Sequence, residues 1–287
     1  PAERDAVLVA FCVLGHTYRW DTVPPASARF EERRIALPPG LAGPWTQLAR
    51  AAGQPRVGTV WTLHLNNWRM VDRPGGATYR SDQLTGDNLR VVHNWLLPPV
   101  DGDLERFSLA FVQLEAHGGH VVRCLVEAIE GAAAADPGAT LAALERARRA
   151  IAAMTLAFSR NVSRRRVDPE TWLRLVQPTF VWSAEAGRTG RIEGGPSGMQ
   201  LGTIQALDAV LGVSGSSSVA RLSRAARRSM PPAHRRFLRV VDLGGRFLRD
   251  FVTTSGAPAL ARQRVAAAQS FGGEGSIEIS DARRAEA

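Results

Sequence analysis

The segment MPPAHRRFLRVV, residues 230–241, carries the signals that decide the fold. Its two prolines stand at the start, where a helix tolerates a missing backbone N–H, and no helix breaker follows them. The segment therefore predicts the beginning of an α-helix. Most of the long segments on either side also repeat apolar residues at helical spacing. We predict an all-α protein in which no segment clearly indicates a strand.

Working outward, local signals mark where several helices begin and end. Asp168, Pro169 and Glu170 predict a helix start, and Gly212 closes an apolar helix predicted over residues 199–213. A long helix is predicted over residues 104–130, interrupted near the HGGH run at 117–120. TVWTLHLNNW, residues 59–68, is compatible with a strand or a buried helix.

The composition predicts one large domain over residues 1–287, with a glycine-rich loop at about 184–198 and an irregular tail at 272–287. The sequence has no apolar run long enough for a membrane span, and its first residues do not resemble a secretory signal. Cys12 and Cys124 lie in apolar surroundings, which indicates two buried free thiols. We therefore expect a cytoplasmic protein.

The net charge of +9 comes entirely from an excess of arginine, because the chain has no lysine. The arginines are scattered and are not interleaved with aromatic residues, so we expect no nucleic-acid partner. No Cys/His spacing predicts a zinc site.

Four blocks of sequence resemble the indoleamine 2,3-dioxygenase family. They are VLGHTYRW (13–20), LNNWRMVD (65–72), GGPSGMQLGTIQALDAVLGV (194–213), and SMPPAHRRFL (229–238) followed by LRDFVTTSGAPAL (248–260). Their order resembles the large helical domain of that family over most of the chain. The family's small N-terminal domain is expected to be mostly absent.

The resemblance implies a haem b enzyme that uses O₂ to cleave the C2–C3 bond of an indole, in tryptophan or a tryptophan derivative. Its partner would be a small-molecule indole substrate. Two other readings stay open at this stage: a non-catalytic relative that binds haem or indole, and an enzyme that adds one oxygen atom on the same scaffold.

The resemblance also assigns residues to a substrate pocket. Tyr18 matches a tyrosine that lines the distal pocket, and Phe107 matches a phenylalanine that packs on the indole ring. Phe111 falls where family members carry Ser or His, and it offers neither a proton donor nor an acceptor. Phe107 and Phe111 are four residues apart, so they share one helix face.

Trp172 matches an aromatic residue that lies over the substrate. Gln177 stands where the family has an arginine that binds the amino-acid carboxylate. An amide makes weaker, neutral hydrogen bonds than a guanidinium. Either a nearby arginine, Arg174 or Arg188, replaces this contact, or the substrate lacks a free carboxylate.

Ser197 and Gly198 match small residues at the edge of the haem, where a flat ligand needs close approach of the chain. His234 matches a histidine at a helix start that we interpret as structural. The family's proximal histidine would be carried by the helix that begins near Pro258.

A gap-free alignment places that iron ligand near Glu278, yet the sequence has no histidine after His234. The metal ligand is therefore left unassigned. Either a segment between Phe271 and Gly272 is not included in this sequence, or it is deleted and the protein has no axial histidine.

Overall fold

The computed structural model describes residues 2–22, 37–71, 80, 83–180, 195–213 and 218–255, and helices dominate them, as predicted. The α-helices are α1 (Ala2–Thr22), α2 (Pro39–Ala52), α3 (Asp101–Ala133), α4 (Pro137–Asn161), α5 (Pro169–Thr171), α6 (Gly202–Leu211), α7 (Ser218–Arg227) and α8 (Pro232–Thr254). The helix predicted from the opening segment is α8, with Pro231 as its N-cap residue.

Shorter irregular elements interrupt these helices. Two π-helical turns cover Trp61–Leu65 and Trp172–Val176, and two 3₁₀ turns cover Gln177–Phe180 and Gly198–Gln200. The all-α class is confirmed, with one short addition: strands β1 (Trp68–Met70) and β2 (Leu89–Val91) pair antiparallel. Each has only three residues, which is too short for an alternating pattern to stand out.

The longest helices, α3 and α4, form the antiparallel core of the fold. Asp136 caps α4 by accepting a hydrogen bond from the Ala139 backbone N–H at 2.9 Å. The predicted apolar face of α4 is confirmed, since it packs into the main core with α3 through four of its residues (Leu144, Ile151, Met154, Phe158), and Leu141 is buried. Its arginines at 146, 148 and 149 are exposed, as predicted.

The predicted break in α3 at the HGGH run was wrong, because the helix is continuous through it. A Cβ atom on Gly118 would lie 1.9 Å from the Thr203 side-chain oxygen of α6. Gly118 therefore allows α6 to approach α3 closely and does not end the helix. The same pair of glycines would suggest a break if judged by helix propensity alone.

Helices α6 and α8 also cross at a glycine. A Cβ atom on Gly245 would lie 2.8 Å from the Cα of Val210. The predicted apolar helix at 199–213 is present from Gly202 and ends, as predicted, at Gly212, which has φ 74°. Arg249 donates hydrogen bonds to the carbonyls of Ala209, at 3.1 Å, and Val210, at 2.5 Å, at the end of α6.

A second core joins α1, α2 and the first π-helical turn. Trp45 is fully buried there, beside Gly15, where an added Cβ would lie 2.4 Å from the indole. Cys12 and Cys124 are buried and free, as predicted. Burial raises the pKa of the Cys12 thiol to about 12. Among the described residues, no helix combines the length and apolarity that crossing a membrane requires.

Several sequence predictions fall on residues outside the described ranges. They are the loop at 184–194, Arg188, the helix expected from Pro258, the Phe271–Gly272 junction, the position near Glu278 and the tail at 272–287.

Candidate functional site

A cavity of about 160 Å³ lies where the irregular elements meet α3. It is lined by the first π-helical turn, the first third of α3, the run 172–180 and the turn at 196–198. Six of the seven residues assigned from the sequence line it: Phe107, Phe111, Trp172, Gln177, Ser197 and Gly198. The structure thus brings together residues that lie up to 91 positions apart, from Phe107 to Gly198.

Tyr18 is the predicted site residue that the structure does not bring to this cavity. The buried face of α1 is formed by Leu8, Val9 and Cys12, which pack into the second core. Tyr18 lies near the end of α1 and its side chain is 38% exposed. Its assignment to the pocket depended on the resemblance and has no support from this geometry.

Four aromatic side chains form the floor and walls of the cavity. Phe107 and Phe111 contact each other edge to face, with ring centroids 4.8 Å apart. Trp172 packs on Phe107 at 3.9 Å and on Phe180 at 5.5 Å. We call Phe107, Phe111, Trp172 and Phe180 the aromatic cluster. Such a cluster offers ring faces and edges to a flat apolar ligand.

The second π-helical turn positions Trp172 and Gln177. Asp168 caps this segment, as predicted, by accepting the Thr171 backbone N–H at 2.7 Å. The helix then widens, and the Gln177 N–H bonds to the Trp172 carbonyl five residues earlier. The two residues therefore sit one turn apart, and both reach the cavity.

His64 also lines the cavity, and the sequence reasoning gave it no role. Its side chain is 1% exposed, and its Nδ1 lies 2.9 Å from the Ser108 hydroxyl on α3. Its imidazole stacks on Phe180 at 5.5 Å and lies 5.4 Å from Phe111. Within the described part of the chain, its Nε2 has no hydrogen-bond partner. Burial lowers the pKa of His64 to about 3, so the imidazole is neutral at physiological pH.

Hydrogen bonds at both ends fix the turn that carries His64. Thr59 and Thr62 exchange bonds, each hydroxyl accepting the other's backbone N–H, at 2.9 and 3.2 Å. After the turn, the Asn67 amide donates to the carbonyls of Leu63 and His93 and accepts the His93 N–H. TVWTLHLNNW is thus a π-helical turn followed by a strand. The available signal was a histidine between apolar residues in that stretch.

Gln200 connects two walls of the cavity. Its side-chain oxygen accepts the Val60 backbone N–H at 2.8 Å, and its side-chain nitrogen donates to the Gly195 carbonyl at 3.2 Å. The amide is buried. It therefore holds the turn at Ser197 and Gly198 opposite the first π-helical turn.

The mouth of the cavity is polar, in contrast to its floor. Gln177 and Ser197 are both exposed at the rim. A Cβ atom on Gly198 would still lie 3.9 Å from the Phe111 ring, so the small residue leaves open space there. Arg174 points elsewhere, since it is exposed and pairs with Glu170 at 3.0 Å. It does not line the cavity.

His234 lies outside this cavity, at the start of α8. Its ring packs edge-on against Trp61, with centroids 4.7 Å apart, and burial lowers its pKa. In the described ranges, no group of three His, Cys, Asp or Glu side chains could hold a metal ion.

The sequence model of the indoleamine 2,3-dioxygenase family matches residues 2–269. The chain is similar to indoleamine 2,3-dioxygenase 1 of Rattus norvegicus, with 25% identity over 228 residues. It is similarly related to the Mus musculus protein of that name, with 26% identity over 227 residues. Each alignment covers 72% of this chain and 52% of the relative, so the chain spans about half the length of these curated relatives. The chain belongs to the indoleamine 2,3-dioxygenase family.

Proposed function

We propose that this protein is a haem-dependent dioxygenase that cleaves the C2–C3 bond of an indole, in tryptophan or a tryptophan derivative. The observation that carries the proposal is the convergence of six assigned residues around one aromatic cavity, in a chain of this family. Haem b would be the cofactor and O₂ the co-substrate. We also propose that the chain acts as a single helical domain.

The residues around the cavity fit the edge of a flat apolar cofactor. Ser197 and Gly198 carry small side chains where such a group would need close approach, and the open space beside Gly198 supports this. Val60 and Phe111 would supply apolar contacts. The haem would supply the O₂ chemistry. The residue that would bind its iron is not assigned among the described residues.

The chain's own residues would bind and orient the indole. The aromatic cluster offers ring faces to stack on it, and these apolar walls exclude water from the ring. Phe111 cannot move a proton, so acid–base work within the cavity would fall to another side chain. Gln177, at the exposed rim, would contact the amino-acid part of the substrate through neutral hydrogen bonds.

The weak neutral contact expected from Gln177 favours a substrate without a free carboxylate. A guanidinium binds a carboxylate in a bidentate, charge-assisted way that an amide cannot reproduce. Arg174 is engaged with Glu170 and does not line the cavity. Among the described residues, the rim therefore matches a tryptophan derivative whose carboxyl group is masked better than free tryptophan.

A non-catalytic relative that binds haem or indole is the second candidate, since no iron ligand is assigned among the described residues. Hemin titration separates the two. A dioxygenase is expected to give a Soret band typical of histidine-ligated iron, followed by O₂-dependent loss of indole absorbance. Two oxygen atoms added to the product indicate ring cleavage, and one indicates hydroxylation. No haem uptake by the full chain would reject the proposal.

A further inference from the structure

His64 is a polar side chain among the aromatic rings that line the cavity. The imidazole is buried, and its Nε2 nitrogen has no partner in the described ranges. A buried polar atom without a partner costs free energy, so its presence beside a cavity points to a ligand that completes its bonding. The cavity it lines is about 160 Å³, which suits a small aromatic molecule.

We propose that His64 Nε2 accepts a hydrogen bond from the ring N–H of an indole-class ligand held by the aromatic cluster. His64 would thereby select N–H heteroaromatics over rings of the same size that lack the N–H. The class of ligand rests on the proposed function, whereas the role of His64 as an acceptor comes from its own surroundings.

The protonation state of the imidazole is consistent with an acceptor. Burial keeps it neutral, so it carries one N–H and one lone pair. When Nδ1 donates to the Ser108 hydroxyl oxygen at 2.9 Å, the lone pair belongs to Nε2. An indole ring offers an N–H donor but no comparable acceptor, so this tautomer is the complementary one.

The imidazole is also held in place before a ligand arrives. Phe180 stacks on the imidazole at an interplanar angle of 26°. The ring of Phe111, on α3, lies with its centroid 5.4 Å from the imidazole centroid. The turn beneath it is fixed by the bonds of Thr59, Thr62 and Asn67. A pre-oriented acceptor loses little entropy on binding, which strengthens discrimination between ligands.

The test compares indole with benzofuran, which has the same bicyclic shape but an oxygen in place of the N–H. Dissociation constants for both are measured by calorimetry on the full chain, for the wild type and two variants. H64L removes the acceptor while keeping an apolar side chain. H64Q places a side-chain oxygen near the position of Nε2 and can accept the same bond.

In the wild type, indole is expected to bind more tightly than benzofuran once their different partition from water is subtracted. In H64L this preference should fall by about tenfold, with benzofuran affinity little changed. H64Q should restore the preference to within about threefold of the wild type. Retained benzofuran binding also shows that each variant keeps the cavity.

Three results would overturn the proposal. The first is an equal preference in the wild type and H64L, and the second is no indole binding by the wild type. The third is loss of the hemin Soret band in H64L but not in the wild type, since His64 would then bind the iron. Failure of hemin uptake by the wild type rejects the proposed function and leaves the ligand preference as a separate result.

Discussion

The helical scaffold and the cavity wall differ in how tightly their residues pack. In the scaffold, helices α3, α6 and α8 cross at glycines such as Gly118 and Gly245, where one added methyl group would collide with the partner helix. Around the cavity, Trp172 and Phe180 on π-helical and 3₁₀ turns meet Phe107 and Phe111 of α3, and these rings leave about 160 Å³ open. Close packing therefore stabilises the scaffold, while the site keeps a void.

This contrast indicates which part of the structure lowers the folding stability of the protein. Interiors are normally packed without voids, and buried polar atoms are normally hydrogen-bonded. The cavity departs from both rules, through its open volume and the unpartnered Nε2 of His64. π-helical turns are rare and occur frequently at functional sites. Together with the convergence of the assigned residues, these departures support this cavity as the candidate binding site.

The largest expected effect is a loss of stability at the crossing of helices α3 and α6. G118A places a methyl group against Thr203 of α6, 1.9 Å from its hydroxyl oxygen before relaxation. We expect the free energy of unfolding to fall by about 3 kcal/mol, measured by urea denaturation, because the two helices must move apart.

The neighbouring glycine on α3 is the matched control. An added Cβ on Gly119 meets no atom within 4 Å. G119A should raise the free energy of unfolding by about 0.5–1 kcal/mol, through the better helix propensity of alanine. Equal effects at the two positions would contradict the close approach of α3 and α6.

The second effect is the loss of folding stability at acidic pH through the buried imidazole of His64. His64 has a pKa of about 3 when folded, against an ordinary value of 6.5. Between these values the unfolded state binds a proton that the folded state does not, so stability falls as pH is lowered. Through this group, the protein should be about 2 kcal/mol less stable at pH 5 than at pH 7. Urea denaturation at the two pH values measures the loss.

H64Q isolates this contribution, since glutamine does not titrate and all other groups stay the same. The difference in stability between pH 7 and pH 5 should be smaller in the variant by the same amount, about 2 kcal/mol. If wild type and variant lose stability in parallel, the imidazole is not held neutral by burial.

The smallest expected effect is a change in ligand affinity at the rim of the cavity, where Gln177 lies. Q177R introduces a guanidinium at the exposed mouth of the cavity, where it can pair with the carboxylate of free tryptophan. We expect tryptophan to bind more tightly by about 1 kcal/mol, a modest gain because the position is exposed to solvent. Calorimetry with tryptophan measures it.

Tryptamine, which lacks the carboxylate, serves as the matched ligand and should gain nothing from Q177R. The variant R174Q serves as the matched protein, since Arg174 already pairs with Glu170 outside the cavity. An equal gain for both ligands would show that Gln177 does not face the carboxylate.

Much of the helical fold could be predicted from the sequence because the signals are local. Prolines mark the start of α8, Asp168 caps its segment and Gly212 ends α6. The continuity of α3 could not be predicted, because the reason for Gly118 is an atom of Thr203, 85 residues away. The short strands β1 and β2 likewise depend on each other for pairing.

The candidate site divides in the same way. Resemblance to the family selected six residues that line one cavity, and it also selected Tyr18, which does not. The position of His64 beside the cavity could not be predicted, because its neighbours are Ser108 of α3 and Phe180, which are distant in sequence. The cytoplasmic location, the absence of a nucleic-acid partner and the roles of the individual site residues stay predictions.

The sequence by itself determined the helical class, the family and the starts and ends of individual helices, because caps, prolines and apolar spacing act over a few residues. Tertiary structure alone decided that α3 is unbroken, that Tyr18 does not line the cavity and that His64 does. Those outcomes depend on close contacts between distant segments, and a buried imidazole acquires its neutral state only when the aromatic side chains of other elements exclude water from it.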